Sequence, residues 1–200
     1  MAIFSKVKIC NLALSKLGAR NKIEDIEEAT AEAEACNMWY DLALETALEA
    51  FDWSFARKRA SLAPSAFDPP EGVWAFRYQW PNDCVAPRQI EHPSHNTGNE
   101  YSYGGSPNYM EDPDAIPFTS ELGDLETKTI LTNLSDAVLI YTARVTNPVV
   151  YTVSFVDALT FSLASLMALQ LTGKTTLAEK HMIYFDRAVN KAATSGLMIV

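Results

Sequence analysis

The chain has 200 residues, 48% of them hydrophobic and 20% charged, which suits one large domain or a domain with a sizeable insertion. Its formal net charge of −9 disfavours sequence-independent binding to nucleic-acid phosphates, although it is compatible with an acidic wall past which DNA slides. Its three cysteines (Cys10, Cys36 and Cys84) form no CxxC pair and predict a reduced cytosolic protein. The first residues lack the apolar stretch of a signal peptide, so we expect no export.

Two helices are predicted in the N-terminal part of the chain. The first spans Lys6–Ala19, with Gly18 at the position of a C-cap. The second is predicted to begin after Thr30 as its N-cap and to run to about Lys58. Its acidic side chains lie opposite an apolar stripe, which is typical of a solvated face rather than of catalytic carboxylates; they are Asp41, Glu45, Glu49 and Asp52.

The character of the sequence changes at Leu62, where three prolines open a linker. Val73–Trp80 alternates strictly, which predicts a strand with its aromatic residues on one face, namely Trp74, Phe76, Tyr78 and Trp80. Such a face needs a partner surface. We expect it to pack onto the helices, and another protein chain is the alternative.

The remaining β region contains short strands and one long loop. A short edge strand is predicted over Val85–Ile90, and Lys128–Thr132 and Ala137–Val145 are predicted to form a hairpin. Between them, His92–Asp124 is rich in Pro, Gly, Asn and Ser, and loops of this length are usually functional or mobile. Its aromatic residues indicate a loop that orders against a partner; they are Tyr101, Tyr103 and Tyr109.

The last quarter of the chain predicts two helices. Ser154–Thr172 is apolar on all sides, begins with Ser154 and Asp157 as a capping box and ends at Gly173. Polar residues interrupt it, so we interpret it as a central core helix and not as a membrane span. A final helix is predicted over Thr176–Ser195, with Met182 on its apolar stripe and Gly196 as its stop.

Four apolar residues follow that predicted stop. Leu197, Met198, Ile199 and Val200 either fold back on the core or dock on a neighbouring molecule, and the sequence leaves both possibilities open. Together with Trp74, Tyr101, Tyr103 and Tyr109 they are the residues that we predict to form partner interfaces.

No pattern of catalytic, cofactor-binding or metal-ligating residues is recognisable. Gly173-Lys174-Thr175 resembles the end of a P-loop, but it follows a helix, and Ala168 replaces the required glycine. His92, His95 and Cys84 lack the paired spacing of a zinc site. We therefore predict a non-enzymatic protein; the alternative is a small enzyme or ligand-binding domain with its site in the 92–124 loop.

These elements predict an α+β fold. Residues 1–62 and 149–200 would form a four-helix bundle-like domain, and residues 63–148 would form an inserted antiparallel β domain with a long irregular loop.

Five stretches in this order resemble the head-to-tail adaptor (connector) proteins of tailed bacteriophages, the group that includes the tail tubular protein A type. They cover most of the chain: Ile9–Leu14 with Leu17-Gly18, Phe51–Ala56, Tyr78–Cys84, Leu139–Thr142, and Phe155 to Gly173.

The resemblance implies a structural virion protein without catalytic residues. Members of this group form a ring, usually of twelve copies, between the portal protein and the tail or nozzle protein. DNA would pass through the ring without specific binding, and no membrane would be involved. The protein would be located at the head–tail junction of the virion, which is assembled in the host cytoplasm. A phage assembly or head-completion factor is the alternative.

Overall fold

The computed structural model describes residues 4–19, 21–91, 115–123 and 126–197. Within these residues the fold is α+β, as predicted, with four α-helices and six strands in two small antiparallel sheets. The chain divides into two compact units. The helical unit comprises Met1–Phe55 and Val145–Val200, and the β unit comprises Ala56–Arg144.

The helical unit is built around one apolar helix. Its helices are α1 (Lys6–Lys16), α2 (Ala31–Glu49), α3 (Val153–Thr172) and α4 (Thr175–Leu197). The other three helices pack on α3, whereas α1 and α2 touch each other little. The predicted central core helix is thus confirmed, since side chains as large as Phe155, Leu159 and Leu163 are fully buried along it.

The ends of α3 differ in how well the sequence predicted them. Gly173 adopts the left-handed conformation with φ of 67° and donates its backbone N–H to Leu169, as expected of a C-cap. The N-cap prediction was wrong, because Thr152 accepts the backbone N–H of Phe155 and Ser154 lies inside the helix. An 18-residue window of α3 has a mean hydropathy of 1.5, enough by composition to cross a membrane, but 61% of it is buried within the protein.

The second helix is shorter than predicted. It ends at Glu49 instead of Lys58, and residues 57–61 form a strand. The cause is tertiary packing: the indole N–H of Trp53 donates to the carbonyl of Ala47 at 2.7 Å, and its ring meets the ring of Phe155 edge-on at 5.1 Å. This contact satisfies one of the last carbonyls of α2 and turns the chain away from the helix axis.

The fourth helix departs from the prediction in two ways. It continues through Gly196 to Leu197, so Gly196 is not its stop. Met182, which the periodicity placed on the buried stripe, is 44% exposed, while His181 beside it is buried.

The β unit contains two three-stranded sheets. The strands are β1 (Arg57–Ser61), β2 (Phe76–Gln79), β3 (Cys84–Ile90), β4 (Phe118–Leu122), β5 (Lys128–Thr132) and β6 (Val138–Ala143). One sheet has the order β1-β6-β3 and the other β2-β5-β4, all antiparallel. The predicted edge position of the strand over Val85–Ile90 is confirmed, since β3 borders its sheet.

The predicted hairpin over Lys128–Thr132 and Ala137–Val145 does not form. Both strands exist, but β5 pairs with β2 and β4 whereas β6 pairs with β1 and β3. Asp136 adopts a positive φ of 54° in the connection between them, where the chain passes from one sheet to the other.

The aromatic strand is shorter than predicted and packs differently. Only Phe76–Gln79 is a strand, and Trp74 precedes it as a half-buried residue. Tyr78 is buried in the core of the β unit itself, with Ile90, Ile130 and Leu139, and Trp80 packs against that core. The expected packing onto helices is therefore wrong for Tyr78 and Trp80, because the strands of the β unit supply their partners.

Candidate partner-binding surfaces

The residues predicted to contact partners are mostly not placed by the structure. Trp74 is half-buried beside β2, and Leu197 is the final residue of α4. Tyr101, Tyr103 and Tyr109, with Met198, Ile199 and Val200, lie outside the described residues. No contact of this predicted set with a partner is therefore tested, and the surfaces below come from other parts of the molecule.

One exposed face of α2 carries acidic side chains around an apolar centre. Met38 is 64% exposed and Leu42, one turn later, is 49% exposed. The positions 34, 38, 41, 42, 45 and 49 recur at helical spacing and therefore share one face. We call this set the acidic face, and it consists of Glu34, Met38, Asp41, Leu42, Glu45 and Glu49.

An exposed face of α4 has the opposite charge. The ring of Tyr184 has Lys180 Nζ at 5.7 Å from its centroid and the guanidinium carbon of Arg187 at 5.7 Å, which are cation–π distances. Ile183, beside them, is 51% exposed. We call this set the basic face, and it consists of Lys180, Ile183, Tyr184, Arg187 and Lys191. Glu179 lines the same shallow depression as Lys180, Ile183, Tyr184 and Arg187, and Asp186 lies further around the helix.

A buried histidine lies beneath the basic face. His181 is 5% exposed, and its ring stacks on Phe161 of α3 at a centroid distance of 6.1 Å. Neither ring nitrogen has a well-formed hydrogen bond within the described part of the chain. Desolvation lowers the pKa of His181, and the nearby cations Lys16 and Lys180 lower it further, so the imidazole is neutral at pH 7.

A groove of about 270 Å³ lies between α1, α3 and α4. Apolar side chains such as Phe4, Leu12 and Val156 line much of it. Lys16 at its edge pairs with Asp157 at 3.0 Å and lies 3.3 Å from the centroid of the Phe161 ring. The groove is therefore largely apolar, with an ion pair at its edge.

The β unit holds a polar cluster centred on Asp83. Lys58 Nζ lies 2.5 Å from Oδ2 of Asp83, and the hydroxyl of Tyr141 donates to Oδ1 at 2.9 Å. The Lys58 ammonium, helped by the Tyr141 hydroxyl, lowers the pKa of Asp83. Burial and the Asp83 carboxylate raise the pKa of Tyr141 to about 12. These contacts link β1 and β6 to the residue that precedes β3.

Two of the three cysteines meet inside the helical unit. Cys10 and Cys36 are both fully buried on facing sides of α1 and α2, and Cys36 Sγ lies 3.6 Å from Met167 Sδ. Their mutual hydrogen bond and their burial raise the pKa of the Cys10 thiol. The same hydrogen bond lowers the pKa of Cys36, and both side chains pack in the core as small hydrophobic residues.

Within residues 4–19, 21–91, 115–123 and 126–197, no group of three or more His, Cys, Asp and Glu side chains is arranged to hold a metal ion. His92 and His95 lie outside those ranges. Comparison of the sequence with protein-family models gives no match, and neither does comparison with curated proteins.

Proposed function

We propose that this chain is a structural virion protein that forms a ring adaptor between the portal and the tail of a tailed bacteriophage. Its partners would be further copies of itself, the portal protein and a tail or nozzle protein. It would act at the head–tail junction, after assembly in the host cytoplasm, and would catalyse no reaction.

The main observation behind this proposal is that residues from different stretches of the adaptor resemblance contact each other in the folded chain. Trp53 and Phe55, from the stretch Phe51–Ala56, pack their rings on Phe155 at centroid distances of 5.1 and 4.8 Å. Phe155 begins another of these stretches and is fully buried. Three aromatic side chains from two distant parts of the sequence thus join the end of α2 to the start of α3.

The β unit has a second contact of this kind. Asp83, from the stretch Tyr78–Cys84, accepts a hydrogen bond from Tyr141, which belongs to the stretch Leu139–Thr142. Residues of the resemblance that contact each other across the chain are expected where two proteins share an architecture. They support a shared scaffold, and they leave function to the surfaces that the scaffold presents.

The net charge agrees with a passage for DNA. A protein with a formal charge of −9 repels the phosphate backbone, so DNA can move past it without being retained. A ring also strengthens weak subunit contacts, because each copy is held by two neighbours and by the ring beneath it.

A mass measurement with portal rings tests the proposal. The purified chain is mixed with portal rings from the same phage, and the mass of the complex is measured by native mass spectrometry. We expect a complex with ring stoichiometry, near twelve copies of this chain per portal ring. A chain that stays monomeric with the portal present, and that binds a small molecule instead, would contradict the adaptor function.

A further inference from the structure

The acidic face of α2 and the basic face of α4 lie on opposite sides of the helical unit. Gln170 of α3 accepts a hydrogen bond from Trp39 of α2 at 2.9 Å, whereas Phe161 of α3 packs against Tyr184 of α4 at a centroid distance of 5.4 Å. These two α3 residues are nine positions apart. Nine positions are two and a half helical turns, so Gln170 and Phe161 point in opposite directions.

The two faces are complementary in charge and similar in chemistry at their centres. The acidic face carries four carboxylates around Met38 and Leu42, and the basic face carries three cations around Ile183, with Glu179 as the one acidic neighbour in the same depression. An exposed apolar centre with a charged rim is the usual composition of a protein interface. Because the two faces lie on opposite sides, a second copy placed beside the first in the same orientation turns its basic face toward the acidic face of the first.

We infer that the acidic face of one copy binds the basic face of the next copy, so that the chain associates head to tail. A contact between two different faces is heterologous, and repetition of a heterologous contact gives a closed ring or an open filament. This inference deepens the proposed function, since it names the surfaces that would join neighbouring subunits of the ring, and it follows from the charges and positions of α2 and α4.

The size of the faces predicts a weak contact. The acidic face extends over about 22 Å, from Glu34 to Glu49 at ~1.5 Å per residue, and is one helix wide. A stable interface buries about 800 Å² on each partner, more than one helix face supplies. We therefore expect association at high protein concentration and low ionic strength, where charge pairs at an exposed rim are least screened.

Sedimentation velocity on the full chain tests the inference. The wild-type chain is expected to associate in about 50 mM salt and to dissociate in about 500 mM salt. Reversal of the acidic face (Asp41→Lys, Glu45→Lys and Glu49→Lys) or of the basic face (Lys180→Glu with Arg187→Glu) should weaken self-association by about tenfold or more, because attractive pairs become repulsive.

Mixing the two reversed variants gives the decisive result. Each variant alone carries like charges on both faces, whereas in an equimolar mixture every face finds an opposite one, so association should return only in the mixture. The control variant Lys22→Glu with Lys174→Glu changes the net charge as the basic-face reversal does, at exposed positions outside both faces, and should associate like the wild type.

Two outcomes would overturn the inference. One is a wild-type chain that stays monomeric at every salt and protein concentration. The other is a mixture of reversed variants that associates no better than either variant alone. Neither outcome decides the portal experiment, because a ring can still assemble on the portal through other surfaces. Conversely, a chain that fails to bind the portal can still show salt-sensitive self-association. If reversal of the basic face lowers only portal binding, that face belongs to the portal contact.

Discussion

His181 combines burial, aromatic neighbours and nearby positive charge. Phe161 and Tyr184 contact its ring, and the charged groups that face it are Lys16 of α1, which pairs with Asp157 of α3, and Lys180 of α4. Protonation would place a third cation beside two others in a poorly solvated position. The pKa of His181 therefore lies below its ordinary value of 6.5 in the folded chain.

This lowered pKa predicts a pH-dependent stability. Below pH ~6.5 the unfolded chain binds a proton at His181 that the folded chain does not. The contribution of neutral His181 to the free energy of unfolding is therefore fully present above that pH, and it is lost as the pH drops toward the folded pKa. His181→Phe keeps the aromatic packing and removes the titration. Urea unfolding at about pH 5.5 and pH 7.5 should show a smaller difference for the variant than for the wild type, and an equal difference would contradict the assignment.

Asp83 predicts a loss of stability in the same direction, but at a lower pH and in the β unit. The Lys58–Asp83 pair is substantially exposed, so Asp83→Asn should lower the free energy of unfolding by at most about 1 kcal/mol at pH 7. Because the folded pKa of Asp83 is lowered, its contribution is present above the unfolded value of 3.8 and is lost as the pH falls below it.

Two further variants separate the parts of this cluster. Tyr141→Phe removes the hydrogen bond to Asp83 and should cost about 0.5–1.5 kcal/mol, whereas Asp83→Ala removes both interactions and should cost more than Asp83→Asn. Urea unfolding at pH 7 measures all three. Equal costs for Asp83→Asn and Asp83→Ala would show that Asp83 does not hold Tyr141.

At the scale of elements, α3 provides its own matched test. Leu163 is fully buried and Leu169 is 57% exposed on the same helix. Leu163→Ala should lower the free energy of unfolding by about 2–5 kcal/mol, through lost burial and the cavity that remains, whereas Leu169→Ala should change it by about 0.5 kcal/mol or less. Chemical denaturation measures both. Similar losses for the two variants would contradict the central position of α3.

The sequence predicted those elements whose signals are local. The apolar run of α3 and the glycine at position 173 both depend on residues within the helix, and both predictions held. The end of α2 and the partners of β5 and β6 were wrong, because they depend on distant residues: Trp53 packs on Phe155, and Tyr141 pairs with Lys58 instead of turning back on β5. Periodicity carries no information on such partners.

The candidate surfaces were predictable only in part. Asp41, Glu45 and Glu49 were recognisable as an exposed face of a helix, and the structure places them there. That this face lies opposite Lys180 and Arg187 depends on which sides of α3 the two helices occupy, and no sequence period encodes that choice.

At the scale of the whole molecule, the C-terminal residues supply a prediction about assembly. Deletion of Leu197–Val200 should weaken attachment to portal rings, because it removes four consecutive apolar residues that the sequence predicts to contact a partner. Leu197 is the last residue of the helix, so the deletion should leave the helical circular-dichroism signal nearly unchanged. Cosedimentation with portal rings measures attachment, and equal attachment of the truncated chain would show that these residues are not an anchor.

The helical unit is assembled from the two ends of the chain, and this has a consequence during translation. The ribosome must add roughly 120 residues between the end of α2 and the end of α3, which takes about 6–25 s at ~5–20 residues per second. During that time Cys36, Leu44 and Leu48 cannot pack against α3, although all three are buried in the folded protein. Until α3 and α4 emerge from the ribosome, we expect the exposed apolar side chains of α2 to bind chaperones or to associate with other nascent chains on the same messenger RNA.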